Sequence, residues 1–169
     1  MTGRPLAATV LGMQRSIPLK RVRKPLLLVH ITSSVALLGA TSSSLLLALI
    51  AATTADAELA RSAYELMSTQ SLVFGIPLSF LALGTGLALG PASKWGVLRY
   101  RWTAAKLVLL VLVIFNGALN IGRMTQQRLD GGGSEWALVA VVSVSVVLLF
   151  ASIVLSVFKP GGRLRARVG

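Results

Sequence analysis

Few side chains in this 169-residue sequence can do chemistry, and the most informative of them sit within apolar runs. His30 is the only histidine, and imidazole is the side chain best suited to proton transfer or metal ligation near neutral pH. Ser33, Ser34 and the hydroxyl run 41–44 follow it. Positions 30, 33, 34, 37, 41 and 44 therefore share one largely polar helical face. Lys106, Asn116 and Asn120 form a second set. Lys106 and Asn120 are close to four helical turns apart, with Asn116 offset by roughly a fifth of a turn. His30, Lys106 and Asn116 together would make a polar pocket able to hold an anionic group. Ser33, Ser34, Asn120 and Arg123 are further candidate ligand-binding residues. Each has a structural reading as well. The imidazole can bond to a neighbouring helix, the serines to their own i−4 carbonyls, the asparagines can act as interhelical glue, and the lysine can snorkel to headgroups.

Several chemistries are excluded. There is no cysteine, which removes disulfides, thiolate metal sites and cysteine nucleophiles. No acidic residue lies within an apolar run, so a carboxylate dyad or a proton-pumping aspartate is absent. One histidine without a cysteine or carboxylate neighbour cannot build a typical zinc or di-iron site. Gly84-x-Gly86 is too short and wrongly placed for a dinucleotide loop.

The elements that must position these residues are four long apolar runs, at about 25–53, 69–92, 102–121 and 136–158. Runs of this length are hard to place outside a bilayer, and 54% hydrophobic against 13% charged residues leaves no room for a separate soluble domain. The fold class expected is all-α, a four-transmembrane-helix bundle. As a helix, residues 26–53 would cover roughly 42 Å, more than the hydrocarbon core, so the first span tilts or projects. Ala55-Asp56-Ala57 imitates a signal-peptidase site, but the preceding apolar stretch is about twice a normal signal core, which favours an uncleaved span. Residues 56–67 fit an amphipathic turn on the outer rim. Pro77 should kink the second span. Gly86 and Gly90 form a GxxxG packing pattern, and Ser145, Ser152 and Ser156 a small-residue seam on the fourth. Residues 131–133, three glycines, read as a flexible outer hairpin. Trp95, Tyr100, Trp102, Trp136 and Phe158 mark the interfaces.

A formal net charge of +12 invites a nucleic-acid reading until its distribution is followed. Arg4, Arg15, Lys20, Arg21, Arg23 and Lys24 precede the first span without an acid. Lys94, Arg99 and Arg101 lie in the second connection, and Lys159, Arg163, Arg165 and Arg167 follow the fourth span. The other two loops are balanced or acidic. The basic residues thus fall on one face, which places both termini in the cytoplasm of a bacterial inner membrane by the positive-inside rule. They suit anionic lipid rather than nucleic acid. Residues 1–24, interrupted by Pro5, Pro18 and Pro25, and residues 159–169 are expected to be basic tails flanking the 25–158 bundle.

The runs LLLVHITSSVALLGA, FGIPLSFLALGTGLALG and WGVLRYRWTAAKLVLLVL and the ending VFKPGGRLR resemble an uncharacterised family of actinobacterial four-span membrane proteins, over roughly residues 25–165. That resemblance implies fold and topology and carries no activity. A weaker likeness is to the four-helix membrane protoporphyrinogen oxidases and copper-resistance D-like proteins. It rests on His30 near the start of an early span, on Trp102-x-x-x-Lys106-Leu107 opening a later one, and on Gly122-Arg123 at its end. It implies haem ligation by His30, with Lys106 or Arg123 pairing with propionates. The porphyrin oxidases often carry a second histidine about ten residues after the lysine, where this chain has Asn116. Haem would then be five-coordinate, or shared between two His30 residues in a homodimer. The leading functional expectation is a non-catalytic or accessory membrane protein that binds a lipid-like ligand or a partner membrane protein. The alternatives are a haem-binding redox protein and a small transporter subunit.

Overall fold

The computed structural model describes residues 19–92 and 101–158, and all their regular structure is helical. Helix α1 spans Leu19–Thr53. Asp56 then caps α2 (Ala57–Gln70), its carboxylate accepting from the N–H groups of Glu58 and Leu59. A π-turn, Ser71–Gly75, leads into α3 (Ile76–Ala92). Helix α4 (Arg101–Phe115) passes through a second π-turn, Asn116–Ile121, into α5 (Gly122–Leu129), and α6 (Glu135–Phe158) follows. Four continuous stretches are long and apolar enough to cross a membrane: Val22–Thr53, Ala57–Gly90, Arg101–Leu129 and Glu135–Phe158.

Side-chain placement is inverted relative to a water-soluble domain. Leu72, Phe80, Phe115, Val147 and Phe150 are all more than half exposed, whereas Ala48, Ala51, Ala63, Ala82, Ser33 and Ser145 are buried. Small residues inside let backbones approach, and large apolar ones outside match hydrocarbon as a solvent. The core has two parts. Ala48, Ala51, Ala63, Tyr64, Met67, Leu138, Val139 and Val142 pack near the 54–56 and 130–134 connections, here called the loop end. Leu37, Val113 and Leu149 pack deeper. Helix α1 packs on α2, α3 and α6, and α4 packs mainly on α6, so α1 and α4 stand diagonally opposite with little direct contact. That diagonal gap is where the candidate site lies.

The helices depart from the sequence reading in four places. The segment expected to lie as a rim turn is instead the start of the second long helix, because Asp56 caps it and Ala63, Tyr64 and Met67 bury one face. The third long helix runs on past residue 121 to Leu129. Pro25, expected to break a helix, lies within α1. Its freed carbonyl sits among basic residues near the helix start, where water and headgroups can bond it. At Pro77 the helix absorbs the missing N–H through the π-turn just upstream. The N–H of Ile76 reaches back to the Ser71 carbonyl, and Ser79 Oγ donates to the Gly75 carbonyl at 2.7 Å.

The 130–134 connection, expected to be flexible, is firmly held. Gly131 (φ 81°) and Gly133 (φ 75°) take the left-handed backbone that favours glycine. Arg128 donates to the carbonyls of Gly132 and Gly133, at 3.1 and 2.9 Å, and to the Tyr64 hydroxyl, and it pairs with Glu135. The expectations for Trp95 and Tyr100, and for the tails 1–18 and 159–169, lie outside the described residues.

Candidate functional site

His30 is held against α3. Its Nδ1 lies 3.1 Å from the Ala82 carbonyl and 3.0 Å from Thr85 Oγ1. A carbonyl can only accept, and Thr85 Oγ1 already donates its proton to the Leu81 carbonyl at 2.6 Å. Nδ1 therefore carries the imidazole proton, and Nε2 keeps a lone pair. The ring comes this close because α3 presents no side chain at Gly86: a Cβ there would stand 3.1 Å from His30 Cε1. Gly86 thus does serve close helix packing, against α1 of the same chain, and Gly90 is buried one turn on. Ser33 and Ser34 donate to the His30 carbonyl at 3.1 and 2.7 Å, so their protons are committed to the backbone.

His30 and Lys106 line one cavity of about 490 Å³, within the range of small-molecule sites. Ser34, Ser152 and Ser156 also border it, and Leu37, Leu110 and Leu149 wall it toward the middle of the chain's long axis. Arg23 adds a second cation. Lys106 Nζ lies 6.0 Å from the centroid of the Trp102 ring. Thr103 Oγ1, on the same wall, is buried without a hydrogen-bond partner.

Electrostatics give this cavity its character. The chain's five carboxylates, Asp56, Glu58, Glu65, Asp130 and Glu135, all belong to the loop end. The ion pairs among the described residues, Arg61–Glu65 and Arg128–Glu135, are there too. Arg23 and Lys106 sit at the opposite end, out of reach of any carboxylate of the described residues.

The other expected site residues are elsewhere. Asn116 Nδ2 donates to the Val141 carbonyl at 2.9 Å and to Ser145 Oγ at 2.8 Å, and Asn120 Nδ2 donates to Asn116 Oδ1. Both asparagines tie α6 to the second π-turn and do not line the cavity. Arg123 is exposed near the loop end, about 25 Å along the helix from Lys106. It cannot share a ligand's acidic group with Lys106. Ser145 is buried beneath Asn116, and the seam it begins continues inward through Ser152 to the cavity wall. Sequence reasoning missed Arg23, Ala82, Thr85 and Thr103. The small residues at 82, 85 and 86 share a helix face and were the available signal, but only contact with α1 gives that face a use.

Chemically the cavity combines apolar walls, two cations without carboxylates, an imidazole lone pair and a free hydroxyl. Among the described residues no cluster of three His, Cys, Asp or Glu side chains could hold a metal ion alone. The sequence matches no family model, no curated protein and no solved structure.

Proposed function

We propose that this chain is a four-span protein of the bacterial cytoplasmic membrane, with both termini inside, that binds an amphipathic anion in the His30–Lys106 cavity and acts as an accessory rather than a catalytic subunit. One observation carries this reading: Arg23 and Lys106 share a mostly apolar cavity at the end of the protein that has no carboxylate. Two cations in a low-dielectric site are costly without a counter-charge, so a ligand that brings one gains binding energy there. An acidic head would meet Lys106 and Arg23, with Thr103 as a hydrogen-bond donor, while an acyl or isoprenoid body lies between α1 and α4. The test is native mass spectrometry of the full-length chain released from lipid nanodiscs doped with phosphatidic acid. Retained adduct that is lost in Lys106→Gln at unchanged helicity supports the reading. Equal retention in the variant defeats it.

A second reading is favoured by the His30 tautomer. Metal-ligating histidines commonly donate one ring N–H to a backbone carbonyl and bind through the other nitrogen, which is the arrangement His30 makes with Ala82. If haem is the ligand, His30 Nε2 would hold it, and Arg23 and Lys106 would meet its propionates. The bound group would supply one-electron chemistry. A Soret band that vanishes in His30→Ala supports this reading; a colourless preparation from haem-replete cells removes it.

A further inference from the structure

A second cavity, of about 340 Å³, lies nearer the loop end. The buried cluster Leu37, Val113 and Leu149 separates it from the first, with Leu37 bordering both. Both π-turns line it, Ser71 and Gly75 from one and Gly117 and Ile121 from the other. The first π-turn packs on α1 and the second on α6, so the turns face each other across the cavity without packing together. Leu72, Ile76 and Phe80 are exposed and border it. The opening is thus lateral, between the second and third long helices, toward lipid in the membrane placement proposed above. π-Turns inside α-helices are found frequently at functional sites.

The lining has a definite chemical character. None of its residues is ionisable, so a charged ligand would be buried unpaired, at high cost. Polar oxygens are nevertheless plentiful, and several have their protons committed. Thr41 donates to the Leu37 carbonyl at 2.8 Å, Ser44 to that of Ala40 at 3.2 Å and Ser79 to that of Gly75 at 2.7 Å. Their lone pairs remain as acceptors. Ser79 and Thr125 are equivalent, each lying four residues after the last residue of a π-turn. Ser79 bonds back to its turn. Thr125, only 3% exposed, does not, and its Oγ1 has no partner. A buried hydroxyl left this way is destabilising unless something bonds it.

We propose that this cavity is a second ligand site, entered sideways from the hydrocarbon, for a neutral amphiphile with a hydroxyl head, and that Thr125 anchors that head. The hydroxyl donates to the committed Ser and Thr oxygens and accepts from Thr125. The proposal shares the membrane placement with the reading above but does not depend on an anion in the first cavity.

The experiment measures equilibrium binding of radiolabelled 1-dodecanol to the full-length chain in nanodiscs, beside its methyl ether, which has the same shape and no donor. The alcohol is expected to bind saturably and at least tenfold more tightly than the ether. Thr125→Val should abolish that margin while raising the melting temperature, since it removes an unpaired buried hydroxyl. Thr125→Ser should restore the margin, and Lys106→Gln should leave it intact. Equal binding of alcohol and ether, an unchanged margin in Thr125→Val, or loss of the margin in Lys106→Gln would each overturn the proposal. Failure of the phosphatidic acid test with these results intact would remove the first site alone.

Discussion

Replacing Gly86 by alanine tests whether His30 is pinned to the α3 backbone, and Gly84 supplies its own control two residues away. A glycine-to-alanine change inside a helix is worth about 1 kcal/mol of stabilisation when the methyl group meets no obstacle. At Gly84 a Cβ has nothing within 4 Å, so that full gain is expected. At Gly86 the Cβ would stand 3.1 Å from His30 Cε1 and 3.6 Å from Nδ1. The ring must retreat by a few tenths of an ångström, which stretches its 3.0 and 3.1 Å contacts with Thr85 and Ala82 toward the limit of hydrogen bonding. A hydrogen bond between membrane helices is worth about 0.6 kcal/mol on average, and the packing lost with it is of similar size. The two effects at Gly86 therefore nearly cancel, leaving a gap of about 1 kcal/mol between Gly84→Ala and Gly86→Ala, or about 2–4 °C in melting temperature for a chain of this size. Thermal unfolding in one detergent measures it, and effects common to both sites on one helix drop out. In a His30→Ala background the obstacle is gone and the gap should close. A gap that persists there, or no gap in the parent, refutes the seating of the imidazole.

Asn116→Leu removes the bonds to the Val141 carbonyl and to Ser145, and should cost about 1 kcal/mol in the same unfolding assay while leaving binding in the His30 cavity unchanged. Arg128→Ala strips the loop-end connection of its bonds to Gly132, Gly133, Tyr64 and Glu135. A loss of about 1–3 kcal/mol is expected, together with faster proteolysis between residues 129 and 135. Because the chain has no cysteine, Gly132→Cys gives a single thiol at a position of ordinary backbone geometry. It should react with a membrane-impermeant maleimide from outside intact spheroplasts, and reaction only after permeabilisation would reverse the topology.

The long helices were legible because hydrophobicity over some twenty residues is a local property, and no tertiary contact is needed to read it. Their ends were not. The start of the second at Ala57 depends on burial of Tyr64 and Met67 against other helices, and its charged first turns hide it from a hydropathy reading. His30 and Lys106 were brought together by depth alone, since parallel helices place equivalent positions at one level. Depth says nothing about rotation about a helix axis. Asn116 points its amide at α6 for that reason, although its spacing from Lys106 suggested a shared face. The π-turn at Asn116–Ile121 adds to the error, because a wider turn changes the phase of everything after it. Arg123 was misplaced by a simpler cause, its distance along the helix.

What separates sites from structural polarity in this protein is which polar groups have been spent. Most hydroxyls on α1, α3 and α6 donate to a carbonyl one turn back, as Ser34, Thr41, Ser44, Ser79, Ser143 and Ser156 do, and such groups cost the bundle little. The exceptions among buried side-chain oxygens of the described residues are Thr103 and Thr125, and each borders a different cavity. Charge then distinguishes the two. The cavity of Thr103 holds Arg23 and Lys106 and can meet an anion, whereas the cavity of Thr125 has no ionisable lining and would penalise any ion placed there. With Leu37, Val113 and Leu149 packed between them, neither ligand can reach the other's partners without moving Leu37. The two sites are therefore separate in chemistry, and any coupling between them must pass through that side chain.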